Sequence, residues 1–423
     1  MKDILFEWNP WWSEKYLFKA IPRDKINDIK PWLERKEVLA IIGVRRAGKT
    51  TLLYQLIDYL TLQKKVPSKN ILFIKADDDR VKTENLIDES LELYKKWVNP
   101  EQKVYLFIDE IQEIQNWQKT IKRIYDLDKN IKIIISGSNA AIIKENLSSF
   151  LAGRLAYFEV YPFSFSEFLT AKGILINSDD ELQKNKPKIK HLLTEYLVFG
   201  SFPEVCLETN EKTKKELASF YFDSIFYKDI LRRNNIRNPV KIEKLVKYLL
   251  QNISNLTNFS KLAKILDLTV DSVVEYLRVL EDAYLIFQVN LFEFSYKKQI
   301  INPKKIYCVD QGIRNIVGFK FSDDIGRLYE NIVYTNLKRK NKEIFYWKNK
   351  NECDFVVKEG KKIEAIQVGL DEGKEREVAG LLEFMNEFKL KKGLIITDNY
   401  EGEEKIENKT IKFMPLWKWL LTY

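Results

Sequence analysis

The segment VLAIIGVRRAGKTTLL, at Val38–Leu53, constrains the fold more than any other part of the sequence. Gly43 is followed, after four residues, by Gly48-Lys49-Thr50, which is the spacing of loops that bind phosphate groups. The backbone N–H groups of such a loop, with the N-terminus of the next helix, hold a β-phosphate. We therefore expect a nucleotide to contact Gly43, Arg45, Arg46, Ala47, Gly48, Lys49, Thr50 and Thr51.

Both flanks of this loop have the structure that phosphate binding requires. Glu37–Ile42 is an apolar run that predicts a buried strand, and TTLLYQLIDYL, which starts at Thr50, predicts an amphipathic helix. In a strand, turn and helix of this kind, the Lys49 ammonium would reach the β- and γ-phosphates. The Thr50 hydroxyl would bind Mg²⁺.

A second apolar run, VYLFIDE at Val104–Glu110, ends in two carboxylates. Continuous apolar runs are typical of parallel strands that are buried on both faces. The carboxyl ends of such strands collect the functional groups of an open α/β sheet. We expect Asp109 to hold Mg²⁺ through water and Glu110 to polarise an attacking water molecule. The alternative is a turn at the end of a strand with two solvated acids.

Two further segments carry candidate residues for the same site. KIIISGSN predicts a strand that ends in small polar residues, where Ser138 or Asn139 could orient water or contact the γ-phosphate. Arg154 follows a glycine in LAGR and could contact the γ-phosphate of its own chain, or act in trans as an arginine finger. The alternative for Arg154 is a structural ion pair at the surface.

Composition excludes several other kinds of site. The 423 residues contain one histidine, His191, and three widely spaced cysteines, so histidine-based triads and a disulfide framework are not expected. The apolar runs are too short to span a bilayer, and the N-terminus lacks a signal-peptide pattern. We therefore expect a cytoplasmic protein. The net charge of +9 favours an anionic partner slightly, although abundant Lys, Ile, Asn and Glu could also reflect overall composition.

Taken together, GVRRAGKTTLL, LFIDEIQEIQNW, ISGSN, LAGR and YPFSFSEFL resemble the AAA+-type P-loop ATPases of archaea and bacteria. Members of that family carry a C-terminal domain of uncharacterised function behind the ATPase module. The opening NPWW, Asn9–Trp12, is similar to archaeal members. The resemblance covers nearly the whole chain and implies ATP and Mg²⁺ as ligands.

The middle of the chain predicts helices and then a winged helix-turn-helix. We expect a helical lid at 171–240 and the winged helix at 241–309, in which two helices precede a pair of strands. The second helix is acidic, which disfavours reading of DNA bases. The predicted wing is basic, so sequence-tolerant contact with DNA phosphates is one expectation, and a structural or protein-contact role is the other. The wing lysines are Lys297, Lys298, Lys304 and Lys305.

The pattern of helix, strands, helix and strand at 310–423 resembles the restriction-endonuclease-like fold. Nucleases of that fold hold Mg²⁺ with an Asp and a second acidic residue, and a Lys lies two positions after the second acid. Glu330 and Asp354 fit as metal ligands here. If Glu364 takes the place of the second acid, Ile366 stands where the lysine is needed, and if Gln367 takes it, Gly369 stands there. We expect a degenerate nuclease-like domain without robust nuclease activity.

The predicted architecture is therefore α/β: a P-loop NTPase parallel sheet at 1–170, a helical lid, a winged helix-turn-helix and an endonuclease-like α/β domain. The leading functional hypothesis is an Mg²⁺-dependent ATPase in which ATP and ADP switch the attached domains. An ATP-gated, DNA-processing nuclease and a slowly hydrolysing signalling scaffold are the alternatives. A protein partner and an oligomer are compatible with all three.

Overall fold

The computed structural model describes residues 1–13, 16, 18–81, 83–98, 100, 103–138, 153–234, 236–318, 325–370 and 374–423. These residues divide into two compact units. The first unit contains residues 1–162 and 282–284, and the second contains residues 163–281 and 285–423. None of the helices in these ranges is long and apolar enough to cross a membrane.

A five-stranded parallel sheet forms the centre of the first unit, in the order β2-β3-β4-β1-β5. The strands consist of continuous apolar runs because both faces of the sheet are covered. All residues of β1 and β3 are buried, for example. The strands are β1 (Val38–Ile42), β2 (Ile71–Lys75), β3 (Val104–Asp109), β4 (Ile131–Gly137) and β5 (Leu155–Glu159). This confirms the predicted α/β fold with a parallel sheet.

Within the described residues, helices connect β1 to β2, β2 to β3 and β3 to β4. The helix that follows β1 starts at Lys49, immediately after the glycine-rich loop. The helices of this unit are α1 (Lys2–Trp8), α2 (Ile26–Ile29), α3 (Lys49–Asp58), α4 (Leu86–Trp97) and α5 (Trp117–Leu127).

The N-terminal NPWW segment covers the edge of the parallel sheet at β2. The Asn9 amide donates to the carbonyl of Phe73 at 2.8 Å and accepts from the Phe73 N–H at 2.6 Å. The Trp12 indole N–H donates to the carbonyl of Ile71 at 2.8 Å. Side chains thus take the place of a neighbouring strand, which removes the open hydrogen-bonding edge that would invite aggregation.

The second unit begins with helices, as predicted for the segment 171–240. The helix at Glu211–Ser224 passes without a break into a wider, π-helical segment at Ile225–Leu231. The helices are α6 (Phe165–Ala171), α7 (Asp179–Phe199), α8 (Pro203–Leu207), α9 (Glu211–Ser224), α10 (Arg232–Asn234), α11 (Pro239–Gln251), α12 (Phe259–Leu266) and α13 (Val270–Asp282). Their role as a lid for the nucleotide stays a prediction.

A mixed nine-stranded sheet forms the rest of the second unit, in the order β13-β14-β12-β11-β10-β9-β7-β8-β6. Its strands are β6 (Leu256–Thr257), β7 (Ile286–Leu291), β8 (Lys304–Cys308), β9 (Glu343–Lys348), β10 (Glu352–Glu359), β11 (Lys362–Val368), β12 (Lys392–Thr397), β13 (Gly402–Ile406) and β14 (Lys409–Pro415). The helices are α14 (Tyr296–Ile301), α15 (Gln311–Val317), α16 (Ile325–Arg339), α17 (Lys374–Glu387) and α18 (Leu416–Thr422).

The strands of the predicted winged helix are part of this larger sheet. β7 pairs with β8 in antiparallel fashion and also with β9 in parallel fashion, where Asn290 lies opposite Phe345. The predicted helices of the winged helix correspond to α12 and α13. The division of the chain into four parts, with a winged helix and an endonuclease-like domain, stays a prediction.

The structure corrects the expectation that four wing lysines face DNA. Lys297 and Lys298 lie in α14 and are exposed. Lys304 and Lys305 lie in β8 and are only 7% and 1% exposed. Every residue of β8 is buried, because the strand is sandwiched between β7 and β6 in the sheet. Lys304 and Lys305 therefore cannot bind phosphates at the surface.

Candidate functional site

The glycine-rich loop turns sharply between β1 and α3. Gly48 has φ of 90° and precedes α3, and Gly43 has φ of 152° at the end of β1. A Cβ atom on Gly43 would lie 2.0 Å from the carbonyl oxygen of Val160. Both positions need glycine because other residues rarely adopt these conformations. The turn leaves the N–H groups at the start of α3 pointing into the loop.

Lys49 lies inside this loop and is 4% exposed. Its Nζ atom donates to the carbonyl oxygens of Gly43 and Val44 at 3.1 and 3.2 Å. The nearest Glu110 oxygen, Oε1, is 3.7 Å from the same nitrogen. The ammonium group is thus held mainly by neutral carbonyls, close to a carboxylate but beyond hydrogen-bond distance of it.

Asp109, at the end of β3, is held by two hydroxyl groups. The Thr50 hydroxyl donates to Oδ2 at 2.6 Å, and the Ser136 hydroxyl donates to Oδ1. The carboxyl group is 2% exposed. Burial raises its pKa to about 6, and the neighbouring Glu110 charge adds to this effect. A bound cation would relieve that cost, so the pair of Thr50 and Asp109 fits Mg²⁺.

Glu110 lies directly beyond the strand in a left-handed backbone conformation, with φ of 51°. Such a conformation is uncommon for a residue with a side chain, and strain of this kind clusters at functional sites. The Glu110 N–H donates to the Ser136 hydroxyl at 3.1 Å. The Gln112 side-chain amide donates to Oε2 of Glu110. Ser136 and Gln112 therefore fix the backbone and the carboxylate of Glu110.

The other predicted site residues have different positions. The Oγ atom of Ser138 lies 3.5 Å from the amide of Gln112. Arg154 forms an ion pair with Asp126 at 2.6 Å, and its side chain is 44% exposed. This contact matches the surface ion pair that was the alternative for Arg154, and its role toward the γ-phosphate stays a prediction. Asn139 lies outside the described residues. In the loop, Arg46 is exposed and Arg45 is half-buried.

Sequence reasoning missed Ser136 and Gln112. A serine inside the apolar run KIIIS is a signal for Ser136, because a polar side chain in a buried strand needs a partner. Gln112 gave no such signal, since it lies in a polar segment where a solvated side chain is equally expected.

The two candidate metal ligands of the second unit, Glu330 and Asp354, lie close together, but a lysine lies between them. The Lys305 Nζ atom donates to Glu330 Oε1 at 2.8 Å and to Asp354 Oδ1 at 2.9 Å. A third carboxylate, Glu352, lies 2.7 Å from the same nitrogen. Burial and the nearby Asp354 charge raise the pKa of Glu330 to about 8. In the described part of the chain, no group of three or more His, Cys, Asp or Glu residues is arranged to hold a metal.

A polar cavity of about 840 Å³ lies beside this cluster. Its lining includes the three carboxylates and Lys305, with further charges from Arg327. The other charged residues that line it are Lys348, Lys350, Arg376 and Glu377. Lys305, which contacts both Glu330 and Asp354, reaches this cavity from β8.

Comparison with known proteins places these features in a family. A family model described as an AAA domain matches residues 35–169, and two models described as domains of unknown function, DUF8612 and DUF4143, match residues 190–323 and 325–419. The chain is 34% identical over 440 aligned residues to the uncharacterized protein MJ1544 of Methanocaldococcus jannaschii, covering 97% of this chain and 96% of the relative. It is also 29% identical to an uncharacterized protein of Haemophilus influenzae, covering 90% and 94% of the two chains.

A solved structure, the Walker-type ATPase PABY2304 of Pyrococcus abyssi, is also similar to this chain. The sequence identity is 13% and the TM-score is 0.43, with 73% of this chain and 99% of the other covered.

Proposed function

Because this chain belongs to the family of the archaeal protein MJ1544 and its residues 35–169 match an AAA domain, we propose that it binds ATP with Mg²⁺ and hydrolyses it. One observation carries this proposal. Asp109 and Glu110 stand side by side at the end of β3, with Asp109 bonded to the hydroxyl of Thr50 in the phosphate loop. Few structural roles require two adjacent acids at this edge of the sheet.

In the proposed reaction, Lys49 turns from the loop carbonyls toward the β- and γ-phosphates. The loop carbonyls are neutral, so this movement breaks no ion pair with them. Thr50 and Asp109 hold Mg²⁺, which neutralises charge on the phosphates when it is bound. The N–H groups at the start of α3 and of the loop bind the phosphate oxygens.

Glu110 orients the attacking water molecule and accepts its proton. The amide of Gln112 keeps one carboxylate oxygen of Glu110 in place, and Ser136 holds its backbone. The other oxygen, Oε1, is the one that lies near Lys49. A carboxylate whose position is set in this way meets the geometric requirement for a general base. Ser138 and Arg154 are further candidates for contact with the γ-phosphate.

Replacement of Glu110 by Gln tests this proposal. The variant Glu110→Gln keeps the shape of the side chain and loses the base, so ATP should still bind while hydrolysis falls by roughly 100-fold or more. Binding can be measured with a fluorescent ATP analogue and hydrolysis by phosphate release. The matched control is Glu113→Gln, an exposed acid in the same turn, which should hydrolyse ATP at the wild-type rate. Hydrolysis by Glu110→Gln at the wild-type rate would contradict the assignment.

We further infer that ATP acts as a switch on the second unit. The support is that this chain aligns with its relatives over nearly their whole length. The ATPase core is therefore followed by a similar C-terminal segment in each of these proteins. Hydrogen exchange of Glu110→Gln with ATP and with ADP tests it. Amide protection within residues 163–281 and 285–423 should differ between the two nucleotides. Identical protection there would contradict a switch and favour a slowly hydrolysing scaffold.

A further inference from the structure

Lys305 is an almost completely enclosed charged residue of the second unit, and no role has yet been assigned to it. Its side chain is 1% exposed, and its Nζ atom lies within 2.9 Å of oxygens from three carboxylates. An ammonium group has three N–H donors, so three acceptors satisfy it completely. The three acceptors are Glu330, Glu352 and Asp354.

The fold brings these residues together from three separate elements. Lys305 comes from β8, and Glu330 comes from one face of α16. Glu352 and Asp354 are two residues apart in β10, so both side chains leave the same face of the strand. The contacts link residues that are 25 and 49 positions apart in the chain. The cluster is therefore a product of the sheet and not of a local turn.

Each of these three acids also contacts a second group within the second unit. Asp354 accepts from the N–H of Val368 at 3.0 Å through Oδ2. Glu330 accepts from the Tyr307 hydroxyl at 2.5 Å. Glu352 lies 3.3 Å from the Nζ atom of Lys348. Each of the three carboxylates thus has a second partner within the protein besides Lys305.

Lys305 and Glu352 stabilise each other's charges, whereas burial and the Asp354 charge favour the neutral form of Glu330. Burial alone would lower the pKa of Lys305, but the charges of Asp354 and Glu330 raise it well above its usual value. Burial would raise the pKa of Glu352, and Lys305 instead lowers it. Three carboxylate oxygens within 2.9 Å of Nζ match the three N–H donors of an ammonium group, which has no lone pair with which to bind a metal.

We propose that the Lys305 ammonium group is the cation that these carboxylates bind. It occupies the position in which a nuclease-like fold holds a divalent metal. The carboxylates do not fit a divalent cation while Lys305 is present. Such an ion would have to share the same oxygens with a buried positive charge that cannot leave. The native cluster therefore binds neither Mg²⁺ nor Mn²⁺.

This proposal predicts a latent metal site. In Lys305→Met the side chain is one atom shorter and uncharged, which leaves three acidic side chains around the position of Nζ without a cation. Carboxylate oxygens are the ligands that Mn²⁺ and Mg²⁺ prefer. The variant should therefore acquire an Mn²⁺ site that the wild-type protein lacks. The prediction does not depend on ATP hydrolysis, because it concerns the nucleotide-free protein.

Titration of the full chain with Mn²⁺, in the absence of nucleotide and followed by electron paramagnetic resonance of free Mn²⁺, tests the proposal. Lys305→Met should bind one Mn²⁺ per chain, with an affinity at least 10-fold higher than that of the wild-type protein for Mn²⁺. Lys305→Met with Asp354→Asn should lose this site. The matched control is Lys348→Met, which removes a lysine from the same cavity and a partner of Glu352, and should create no site.

Three results would overturn the proposal. The first is Mn²⁺ binding by the wild-type protein that is lost in Asp354→Asn, since Lys305 would then not exclude the metal. The second is a folded Lys305→Met that binds no Mn²⁺. The third is a Lys305→Met that does not fold even with Mn²⁺ present. Folding of Lys305→Met only when Mn²⁺ is added would support the proposal, because the metal would replace the missing cation.

Discussion

Two regions of the molecule place a lysine beside buried carboxylates, and they use it in opposite ways. In the phosphate loop, Lys49 is bonded to carbonyl oxygens and lies 3.7 Å from Glu110. Asp109 nearby is held by the hydroxyl groups of threonine and serine. In the second unit, Lys305 contacts three carboxylates directly, at 2.7 to 2.9 Å.

The difference shows how a protein keeps one site open to charged ligands and closes another. Neutral donors and acceptors satisfy the hydrogen bonds of Lys49 and Asp109 without cancelling their charges, so both charges remain available for phosphate and Mg²⁺. In the second unit, the Lys305 ammonium is instead paired directly with carboxylates of the protein, so its charge is not available for an added ligand. Such an ion cluster joins elements of the fold, and removal of one member leaves uncompensated charge.

The largest expected effect is on stability, in Lys305→Met without metal. Three carboxylates would lose a cation that is itself buried, and breaking a buried ion cluster in this way costs up to about 3–5 kcal/mol. Urea unfolding followed by circular dichroism should show this loss. Lys348→Met removes a lysine whose side chain is 47% exposed, and should cost less than about 1 kcal/mol. Equal losses in the two variants would contradict the contrast drawn here.

Lys49→Met should have the opposite pattern, with a large effect on binding and a small one on folding. Loss of a charge-assisted contact to phosphate should weaken ATP binding by about 100-fold. The free energy of unfolding without nucleotide should change by less than about 1 kcal/mol, because Lys49 bonds to neutral carbonyls. Isothermal titration with ATP and urea unfolding measure the two effects. A stability loss as large as that of Lys305→Met would remove the distinction between the two lysines.

Asp109→Asn should stabilise the nucleotide-free protein in a pH-dependent way. The folded-state pKa of Asp109, about 6, lies above its usual value of 3.8. The folded protein is therefore less stable when the Asp109 carboxylate is charged than when it is protonated. The stability that wild type retains at low pH is lost as the pH rises through about 6. The variant should therefore gain about 2 kcal/mol at pH 8, and the gain should shrink toward pH 4.5. Unfolding curves at several pH values measure it.

The control for that experiment is Asp126→Asn. Asp126 forms an ion pair with Arg154 at the surface, and its side chain is 42% exposed. Its replacement should give a small loss with little dependence on pH. A gain in Asp109→Asn that is the same at pH 4.5 and pH 8 would show that the charge of Asp109 is not its cause.

The smallest expected effect concerns DNA. If the second unit binds DNA through α14, replacement of Lys297 and Lys298 by Ala should lower affinity a few-fold and reduce the slope of log K against log salt by about 1–2. Fluorescence anisotropy at several salt concentrations measures the slope. Lys212 and Lys215, two exposed lysines of α9, provide the control pair. Sequence-selective binding that survives moderate salt would contradict this picture.

The phosphate loop and the Asp109-Glu110 pair were predictable because each lies in one short segment with a local pattern. A buried strand followed by a glycine-rich turn, or by two acids, is visible without knowledge of the rest of the fold. The parallel sheet follows from the same apolar runs. The fold confirms the parallel sheet, whereas the roles of the loop residues and of Asp109 and Glu110 stay predictions.

Lys305 could not be predicted in this way. It occurs in NPKKIYC, where adjacent lysines are typical of an exposed turn, and its partners lie 25 and 49 residues away. Its burial depends on β8 pairing between β7 and β6, which no local pattern specifies. The search for a nuclease lysine near Glu364 or Gln367 therefore failed, although a lysine reaches Asp354 in space.

The number of Mn²⁺ ions bound per chain, measured with and without a non-hydrolysable ATP analogue, tests the central contrast most directly. The wild-type protein should bind one Mn²⁺ with the analogue and none without it. That ion should be lost in Thr50→Ala and retained in Asp354→Asn, because only the phosphate loop leaves its charges available. An Mn²⁺ ion that binds without nucleotide and is lost in Asp354→Asn would contradict the account.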